Sequence, residues 1–420
     1  MSIRENFWKN VDWLTVFLYL TLVLYGWLSI YSASGSSESS SIFDFSQRYG
    51  KQLLWIGMGL FLAFIILLLD AKFFSSFAYV FYFLIILSLI AVLLFGKTVA
   101  GSRSWFQIGS FALQPAEFAK FATALALAKY LSKIQSDMRL FKTKMVAAIL
   151  IGFPALLILM QNDTGSALVY FAFILVLYRE GLSGWILVIG LVIGVLFTIT
   201  IKFGELYVAM GLVALAIMLF ALFRGFRRQW KIWLAGLLFS LIFVSMVDYA
   251  FQHVLESHQR IRIQVMLGMK EDPHGAGYNV NQAKIAIGSG GLTGKGYRKG
   301  MLTRNHFVPE QSTDFIFCTV GEERGFLGSS VLILLFIGLL IRIIMLAERQ
   351  RSPFGRIYGY GVASVLFFHF TINLAMTIGL FPVVGIPLPF FSYGGSSLWA
   401  FTILLFIFIK QDANRMNVLY

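Results

Sequence analysis

The feature that most constrains this chain is a succession of long apolar runs that extends over almost all of its 420 residues. The sequence is 58% hydrophobic and only 13% charged, and its mean hydropathy is +0.79. A water-soluble protein of this length would need much more polar surface to stay in solution. We therefore expect an all-α, polytopic integral membrane protein, for which the bilayer is the relevant solvent.

Twelve apolar runs are candidate membrane helices. They lie near residues 12–32, 51–69, 74–95, 116–131, 143–160, 165–179, 183–203, 205–224, 231–252, 326–347, 355–378 and 395–411. Runs 116–131 and 165–179 are shorter than the roughly 20 residues of a perpendicular span, which predicts thinned, broken or partly buried helices. Alternating strand patterns are absent, and the first run lacks a small-residue cleavage site, which indicates an uncleaved first helix.

Lysine and arginine are unevenly distributed between the segments that join these runs. If the N-terminus is cytoplasmic, nineteen of the 34 fall in the inner segments. The short outer loops hold only Arg48, Lys51, Lys97, Arg103 and Lys202. Because positive charge is retained on the cytoplasmic side, both termini are expected there, with a large extracytoplasmic loop over residues 253–325.

That outer loop carries nine lysine and arginine residues of its own. Long loops cross the membrane largely regardless of their charge, so the predicted topology stands. Two interpretations of the charge remain open. The loop is either simply solvated, or it attracts an anionic ligand such as a phosphate.

Polar residues are costly at membrane depth and commonly mark a site, and here they form four blocks on the predicted outer face. The first block spans residues 101–120. Its Pro115 suits the first turn of a helix, on which Glu117 and Lys120 would share one face and pair. The pair is either structural, or Arg103 and Lys120 face a cavity and hold phosphate oxygens.

The second block, residues 161–165, is a polar tip in which Asp163 or Thr164 would cap the following helix. The third block lies in the long loop and begins with the glycine-rich residues 288–296. Glycines allow successive N–H groups to converge into an anion-binding nest. The segment departs from a Walker A loop, because glycine follows Lys295, so no nucleotide is implied.

The third block continues to Asp314, which lies between a polar turn and an apolar run. Partial burial there would make its carboxylate a better base, and a helix N-cap is the alternative. Glu322 and Glu323 are expected to pair with Arg324 or another cation of the loop. The fourth block, residues 385–397, contains prolines and glycines that forbid a continuous helix, which predicts a re-entrant wall.

These blocks, in this order, resemble the SEDS family of peptidoglycan glycosyltransferases over nearly the whole chain. Residues 387–397 are more similar to elongation-type members than to division-type members. The resemblance implies that Asp314 is the essential aspartate and that Arg103, Glu117 and Lys120 match the charged positions of the first block. It also implies lipid II as the substrate, and as the partner a class B penicillin-binding protein, the transpeptidase of the elongation machinery.

The chain departs from the family pattern in three places. Asn162 replaces the proline of the family's Gln-Pro-Asp turn, and Ala283 stands where serine is common; neither position is expected to carry chemistry. The family usually has ten spans, whereas twelve runs are present here. The surplus is attributed to an inserted helical hairpin over about 205–252, which leaves the sidedness of the later segments unchanged.

The implied reaction is an inverting displacement at an anomeric carbon, with undecaprenyl pyrophosphate as the leaving group. Asp314 is the expected base for the acceptor hydroxyl, and cations would stabilise the leaving pyrophosphate. The candidate substrate-binding residues are Arg103, Lys120, Glu117, Lys284, Lys295, Glu310, Ser392 and Ser396. A divalent cation would help to neutralise the pyrophosphate, but no ligand cluster requires one, and Cys318 is expected to be a small buried residue.

A lipid II flippase or another polytopic transporter is the alternative function, because many spans and broken helices suit a transporter equally well. The clustering of the polar blocks on one predicted face argues against it, since alternating access needs a site that opens to both sides. A purely structural scaffold for the elongation machinery would leave the polar blocks unexplained.

Overall fold

The computed structural model describes residues 8–34, 41–99, 101–109, 111–133, 137–270, 276–305 and 307–416. The helices are α1 (Trp13–Ala33), α2 (Arg48–Leu68), α3 (Ala71–Ser76), α4 (Ala78–Phe95), α5 (Pro115–Leu131), α6 (Phe141–Met160), α7 (Thr164–Leu168), α8 (Phe173–Arg179), α9 (Trp185–Phe203), α10 (Glu205–Leu222), α11 (Arg224–Arg228), α12 (Trp230–His253), α13 (Ser257–Met266), α14 (Ala276–Ser289), α15 (Met301–Arg304), α16 (Ile316–Glu348), α17 (Pro353–Thr377) and α18 (Gly395–Ala413). The strands are β1 (Lys97–Val99), β2 (Ser102–Ile108) and β3 (Phe111–Leu113). The predicted helical fold class is confirmed.

All twelve predicted apolar runs are helical. Within the described ranges, ten helices are long and apolar enough to cross a membrane, and the protein is a multi-pass membrane protein. The two remaining runs, 116–131 and 165–179, do not form helices of that length, and they are the two predicted to be thinned, broken or partly buried. Helix α5 has only 17 residues, and the run from Thr164 to Arg179 is broken by a 3₁₀ turn, Val169–Ala172. The exact number of spans stays a prediction.

Helix α5 is short, rich in alanine and buried along almost its whole length, between α4, α17 and α18. Small side chains let helices approach closely in a membrane. At Gly361 of α17, an added Cβ would lie 3.3 Å from the Ala124 Cβ of α5. Because protein surrounds α5, charged residues at its beginning can be held at a fixed depth within the helix bundle.

The chain divides into two compact units, Met1–Leu182 with Asn279–Tyr420, and Ser183–Tyr278. In the second unit, α9, α10 and α12 pack on one another. This unit contains the predicted hairpin 205–252 together with α9, and the hypothesis that it is an insertion stays a prediction. The segment 253–325, predicted as a large loop, contains α13, α14, α15 and the beginning of α16.

Helix α16 begins at Ile316, earlier than the predicted run, and is broken at Gly325, where φ is 62° and ψ is −156°. A break deprives helical N–H and C=O groups of their usual partners, which is costly away from water. Here the glycine-rich loop supplies partners. The Phe326 N–H donates to the Gly291 carbonyl at 2.9 Å, and the Leu327 N–H donates to the Leu292 carbonyl at 3.1 Å.

The same loop also satisfies the carbonyls that the break releases. The N–H groups of Lys295 and Gly296 donate to the carbonyls of Glu322 and Glu323, both at 3.0 Å. The predicted anion-binding nest over residues 288–296 is therefore wrong, because these N–H groups already donate to backbone carbonyls. The glycines serve instead to bring the loop backbone against the broken helix.

Charged residues connect the beginning of α1 to the last turns of α16 and α18. Asp12, the N-cap of α1, accepts hydrogen bonds from the Thr15 N–H at 3.0 Å and from Arg342 Nε at 3.1 Å. Arg349 Nε donates to the Asp412 carboxylate at 3.0 Å. Burial by itself would raise the pKa of Asp12, but the hydrogen bonds from Arg342 and Thr15 outweigh it and lower the pKa to about 2.

A small antiparallel sheet, in the order β1-β2-β3, precedes α5, although no strand is predicted from the sequence. Two of its strands have three residues each, which is too short for a visible alternation. The sheet connects the first polar block to the second, because the Arg103 N–H donates to the Gln161 carbonyl at 3.0 Å.

Candidate active site

The four polar blocks, far apart in sequence, are hydrogen-bonded to one another at one end of the first unit. Ser396 Oγ donates to the Ala112 carbonyl at 3.0 Å, which joins the fourth block to the first. Gln114 Nε2 donates to Asp163 Oδ2 at 2.8 Å, which joins the first block to the second. Ser392 Oγ donates to the carbonyl of Thr313 at 2.6 Å, which joins the fourth block to the third.

Asp163 also has the local role that the sequence predicts for it. It is the N-cap of α7, and its Oδ1 accepts from the Ser166 N–H at 3.0 Å. Pro115 likewise begins α5, as predicted. These two helix starts orient the first and second blocks toward the same end of the bundle.

Asp314 is half-buried, two residues before α16. The N-cap of that helix is Phe315 and it receives no side-chain cap, so the N-cap interpretation of Asp314 is wrong. The Asp314 backbone is held by Asn373, whose Nδ2 donates to the Asp314 carbonyl and to the Ile386 carbonyl, both at 2.8 Å. The carboxylate lies beside Gly385, where φ is +73° and an added Cβ would be 3.3 Å from Asp314 Oδ2.

A polar cleft of about 370 Å³ lies next to this segment and is lined by Arg48, Glu310 and Ser312, among others. Arg48 Nη1 donates to Ser312 Oγ at 2.5 Å, and its guanidinium lies 5.9 Å from the ring centre of Tyr393. Burial raises the pKa of Tyr393, although the charge of Arg48 opposes the shift. The cleft therefore holds a cation, Arg48, and a carboxylate, Glu310, beside the turn that leads into Asp314.

Glu310 is exposed at this cleft and adopts a left-handed backbone conformation, with φ of 53°. Thr313 Oγ1 donates to Glu310 Oε2 at 3.0 Å. The turn that carries Glu310 thereby leads directly into Asp314, and the two carboxylates are presented by one short segment.

Glu117 and Lys120 form a buried pair, as the structural interpretation expects. Lys120 Nζ lies 2.8 Å from Glu117 Oε1 and 2.8 Å from His369 Nε2, and the lysine is 1% exposed. Since the ammonium can only donate to Nε2, the Nδ1–H of His369 donates to the Pro387 carbonyl at 3.1 Å. The pair therefore lies behind the proline-rich wall and is connected to it through His369.

The other predicted cations are in different environments. Arg103 is exposed, and its Nη1 donates to the Leu93 carbonyl at 3.2 Å. Lys284 is exposed on α14, close against Gly379, where an added Cβ would lie 2.5 Å from Nζ. Lys295 Nζ pairs with the fully buried Glu322 at 2.8 Å, which confirms the expectation that this glutamate pairs with a loop cation.

Arg48, His369 and Asn373 belong to this region but are not among the site residues predicted from the sequence. His369 and Asn373 are polar residues four apart within an apolar run, and they are both 0% exposed. Their spacing on a membrane helix was a usable signal of a polar face. Arg48 gave no such signal, because a single arginine at the start of a span is common.

Within the described residues, no group of three or more His, Cys, Asp or Glu side chains is placed to hold a metal ion. The only cysteine, Cys318, is buried near the beginning of α16. Any requirement for a divalent cation stays a prediction.

Comparison with known proteins gives consistent matches over the whole chain. A family model for FtsW, RodA and SpoVE, described as "Cell cycle protein", matches residues 12–210 and 207–417. The peptidoglycan glycosyltransferase RodA of Treponema pallidum is 32% identical over 97% of this chain and 99% of the relative. The peptidoglycan glycosyltransferase MrdB of Escherichia coli K12 is 33% identical over 94% of this chain and 92% of the relative.

Two solved structures are similar to the fold. A chain from a peptidoglycan synthase complex that coordinates polymerization and crosslinking has a TM-score of 0.71 and 28% identity, covering 96% of this chain and 98% of that chain. Rod shape determining protein RodA of Thermus thermophilus has a TM-score of 0.60 and 26% identity, covering 96% of this chain and 97% of that chain.

Proposed function

This chain belongs to the FtsW/RodA/SpoVE family of cell cycle proteins and is an elongation-type peptidoglycan glycosyltransferase, and on that premise we propose that it polymerises lipid II with Asp314 as the general base. The observation that carries the proposal is the environment of Asp314. Its half-buried carboxylate lies beside Gly385 of the fourth polar block, its backbone carbonyl is held by Asn373, and the turn that leads into it lines a polar cleft.

The base is needed because a sugar hydroxyl is a weak nucleophile near neutral pH. A carboxylate that accepts its proton as the new bond forms contributes about 10²–10⁴-fold to the rate. An α-linked pyrophosphate that yields a β-linkage requires one inversion, which one base achieves without a covalent enzyme intermediate. Gly385 has no side chain to crowd Asp314 Oδ2, from which an added Cβ would lie 3.3 Å.

Cations stabilise the undecaprenyl pyrophosphate that leaves, because negative charge grows on it in the transition state. Arg103 and Lys284 are exposed and remain candidates for this role, and the cleft adds Arg48 to them. Lys120 and Lys295 are bound to Glu117 and Glu322, so they would have to exchange partners to hold a phosphate. Glu310 lines the cleft. The buried Ser392 and Ser396 donate to backbone carbonyls of the third and first polar blocks, so they fit the role of holding the fourth block in place.

We also propose that the active site faces the extracytoplasmic side of the bacterial inner membrane and that both termini are cytoplasmic. The distribution of lysine and arginine supports this orientation. A class B penicillin-binding protein is the proposed partner, since cross-linking must follow polymerisation. The similarity to a chain of a synthase complex that couples the two reactions supports that choice.

The test is polymerisation by the purified protein in liposomes that contain lipid II, with and without the transpeptidase partner. The expected result is a ladder of glycan strands on a gel, produced more rapidly when the partner is present. The partner alone is the control and should yield no strands. Movement of lipid II across the bilayer without any polymer, in both conditions, would favour the transporter and contradict the proposal.

A further inference from the structure

The second unit, residues 183–278, contains a large apolar groove that none of the candidate active-site residues lines. The groove lies between α9, α10 and α12 and has a volume of about 610 Å³. Its walls are aliphatic and aromatic, with Val192, Phe220, Trp230 and Trp233 among them. A volume of this size is within the range of sites that bind small organic molecules.

A cluster of cations is located at one end of the groove. Arg224, Arg227 and Arg228 lie in α11, and Lys231 lies in the first turn of α12, so the four cations fall within eight consecutive positions. Arg227 ties this segment to the groove, because its Nε donates to the carbonyl of the groove residue Phe220 at 2.8 Å. Lys231 directly follows the groove residue Trp230, and all four cations are exposed.

Acidic residues are scarce in this part of the second unit. Glu205 is the only acidic residue between positions 183 and 247. It lies at the beginning of α10, whereas the cations follow the end of that helix, and its carboxylate accepts a hydrogen bond from Ser245. Four clustered cations beside an apolar groove are thus left to attract an external anion.

We propose that this groove binds an anionic phospholipid, with an acyl chain between α9, α10 and α12 and the phosphate against Arg224, Arg228 and Lys231. The charge complementarity selects the headgroup, because a cation near the membrane surface favours an anionic lipid by about 1 kcal/mol, or about fivefold. Trp230 and Trp233 fit the boundary between headgroup and acyl chain, where tryptophan is enriched. The acyl chain of a zwitterionic lipid fills the groove equally well, but the cations contribute much less to the binding free energy of its headgroup.

Native mass spectrometry of the full-length protein tests whether the cations select an anionic headgroup. The protein, released from detergent in an equimolar mixture of phosphatidylglycerol and phosphatidylcholine, is expected to retain phosphatidylglycerol preferentially. Arg228→Gln with Lys231→Gln should reduce that preference by about fivefold for each cation lost. The matched control is Lys142→Gln with Lys144→Gln, which removes two exposed cations from the beginning of α6 and should leave the preference unchanged.

A second pair of variants tests the groove independently of charge. Gly236 lines the groove and has nothing within 4 Å of an added Cβ, so Gly236→Leu fills the space without a clash. Gly211 on α10 is equally open and is not among the lining residues, so Gly211→Leu is its control. We expect Gly236→Leu to lower phosphatidylglycerol retention severalfold and Gly211→Leu to leave it unchanged. Equal losses in the variants and their controls, or no preference in the wild type, would overturn the proposal.

Discussion

The buried contact between Lys120 and Glu117 illustrates how individual residues set the architecture around the active site. Both side chains are almost completely inaccessible, at 1% and 3% exposed, and the lysine also bonds His369. A buried ion pair contributes little compared with apolar residues, but the loss of one partner leaves an uncompensated charge. Through His369, the pair also holds Pro387, and therefore the wall beside Asp314.

Lys120→Met is expected to destabilise the protein by about 3–5 kcal/mol, because it leaves the Glu117 carboxylate buried without a cation. The double variant Glu117→Leu with Lys120→Met should recover most of that stability. Thermal unfolding in detergent measures both. If Lys120→Met melts at the wild-type temperature, the pair has no structural role and the lysine is available for substrate.

At the scale of elements, the broken helix α16 and the glycine-rich loop form one backbone unit. The loop carbonyls and N–H groups replace the helical partners that the break at Gly325 removes. At Gly294, where φ is +81°, an added Cβ would lie 2.1 Å from the Glu323 carbonyl oxygen. The close approach of two backbones therefore depends on the absence of a side chain at that position.

Gly294→Ala is expected to detach the loop from α16 and to expose it to protease. Gly291→Ala is the matched control, because Gly291 also has a positive φ, +57°, but an added Cβ meets nothing within 4 Å. The control should be destabilised only by the cost of placing alanine in a left-handed backbone conformation, about 1–2 kcal/mol. Limited proteolysis and thermal unfolding compare the two, and equal behaviour would show that backbone approach is not the constraint.

At the scale of the whole molecule, the length of the apolar runs was sufficient to predict the membrane helices and the two short or broken runs, but not the helices within residues 253–325. The convergence of the four polar blocks was also anticipated. The prediction for the glycine-rich segment 288–296 was wrong, because its N–H groups donate to the carbonyls of Glu322 and Glu323. Those residues lie in a helix that only the folded structure brings near. Arg48 and His369 were missed for the same reason: their roles depend on partners more than 200 positions away.

The distribution of lysine and arginine predicts the membrane topology of the whole chain. Because the single native cysteine is buried, cysteines introduced at the exposed residues Lys97 and Lys144 can report on opposite sides of the membrane. In spheroplasts of a bacterial host, an impermeant maleimide should label Lys97→Cys at once. Lys144→Cys should react only after the membrane is permeabilised. The reverse labelling pattern would show that the protein has the opposite orientation and that the active site faces the cytoplasm.

The central claim is that Asp314 removes the proton from the acceptor hydroxyl, and steady-state polymerisation by Asp314→Asn tests it most directly. We expect kcat to fall by about 10²–10⁴-fold with KM little changed, because the lost interaction acts in the transition state. Glu310→Gln, an exposed carboxylate of the same turn, is the control and should affect KM more than kcat. An Asp314→Asn protein that keeps its wild-type melting temperature and turns over within tenfold of the wild type would contradict the account.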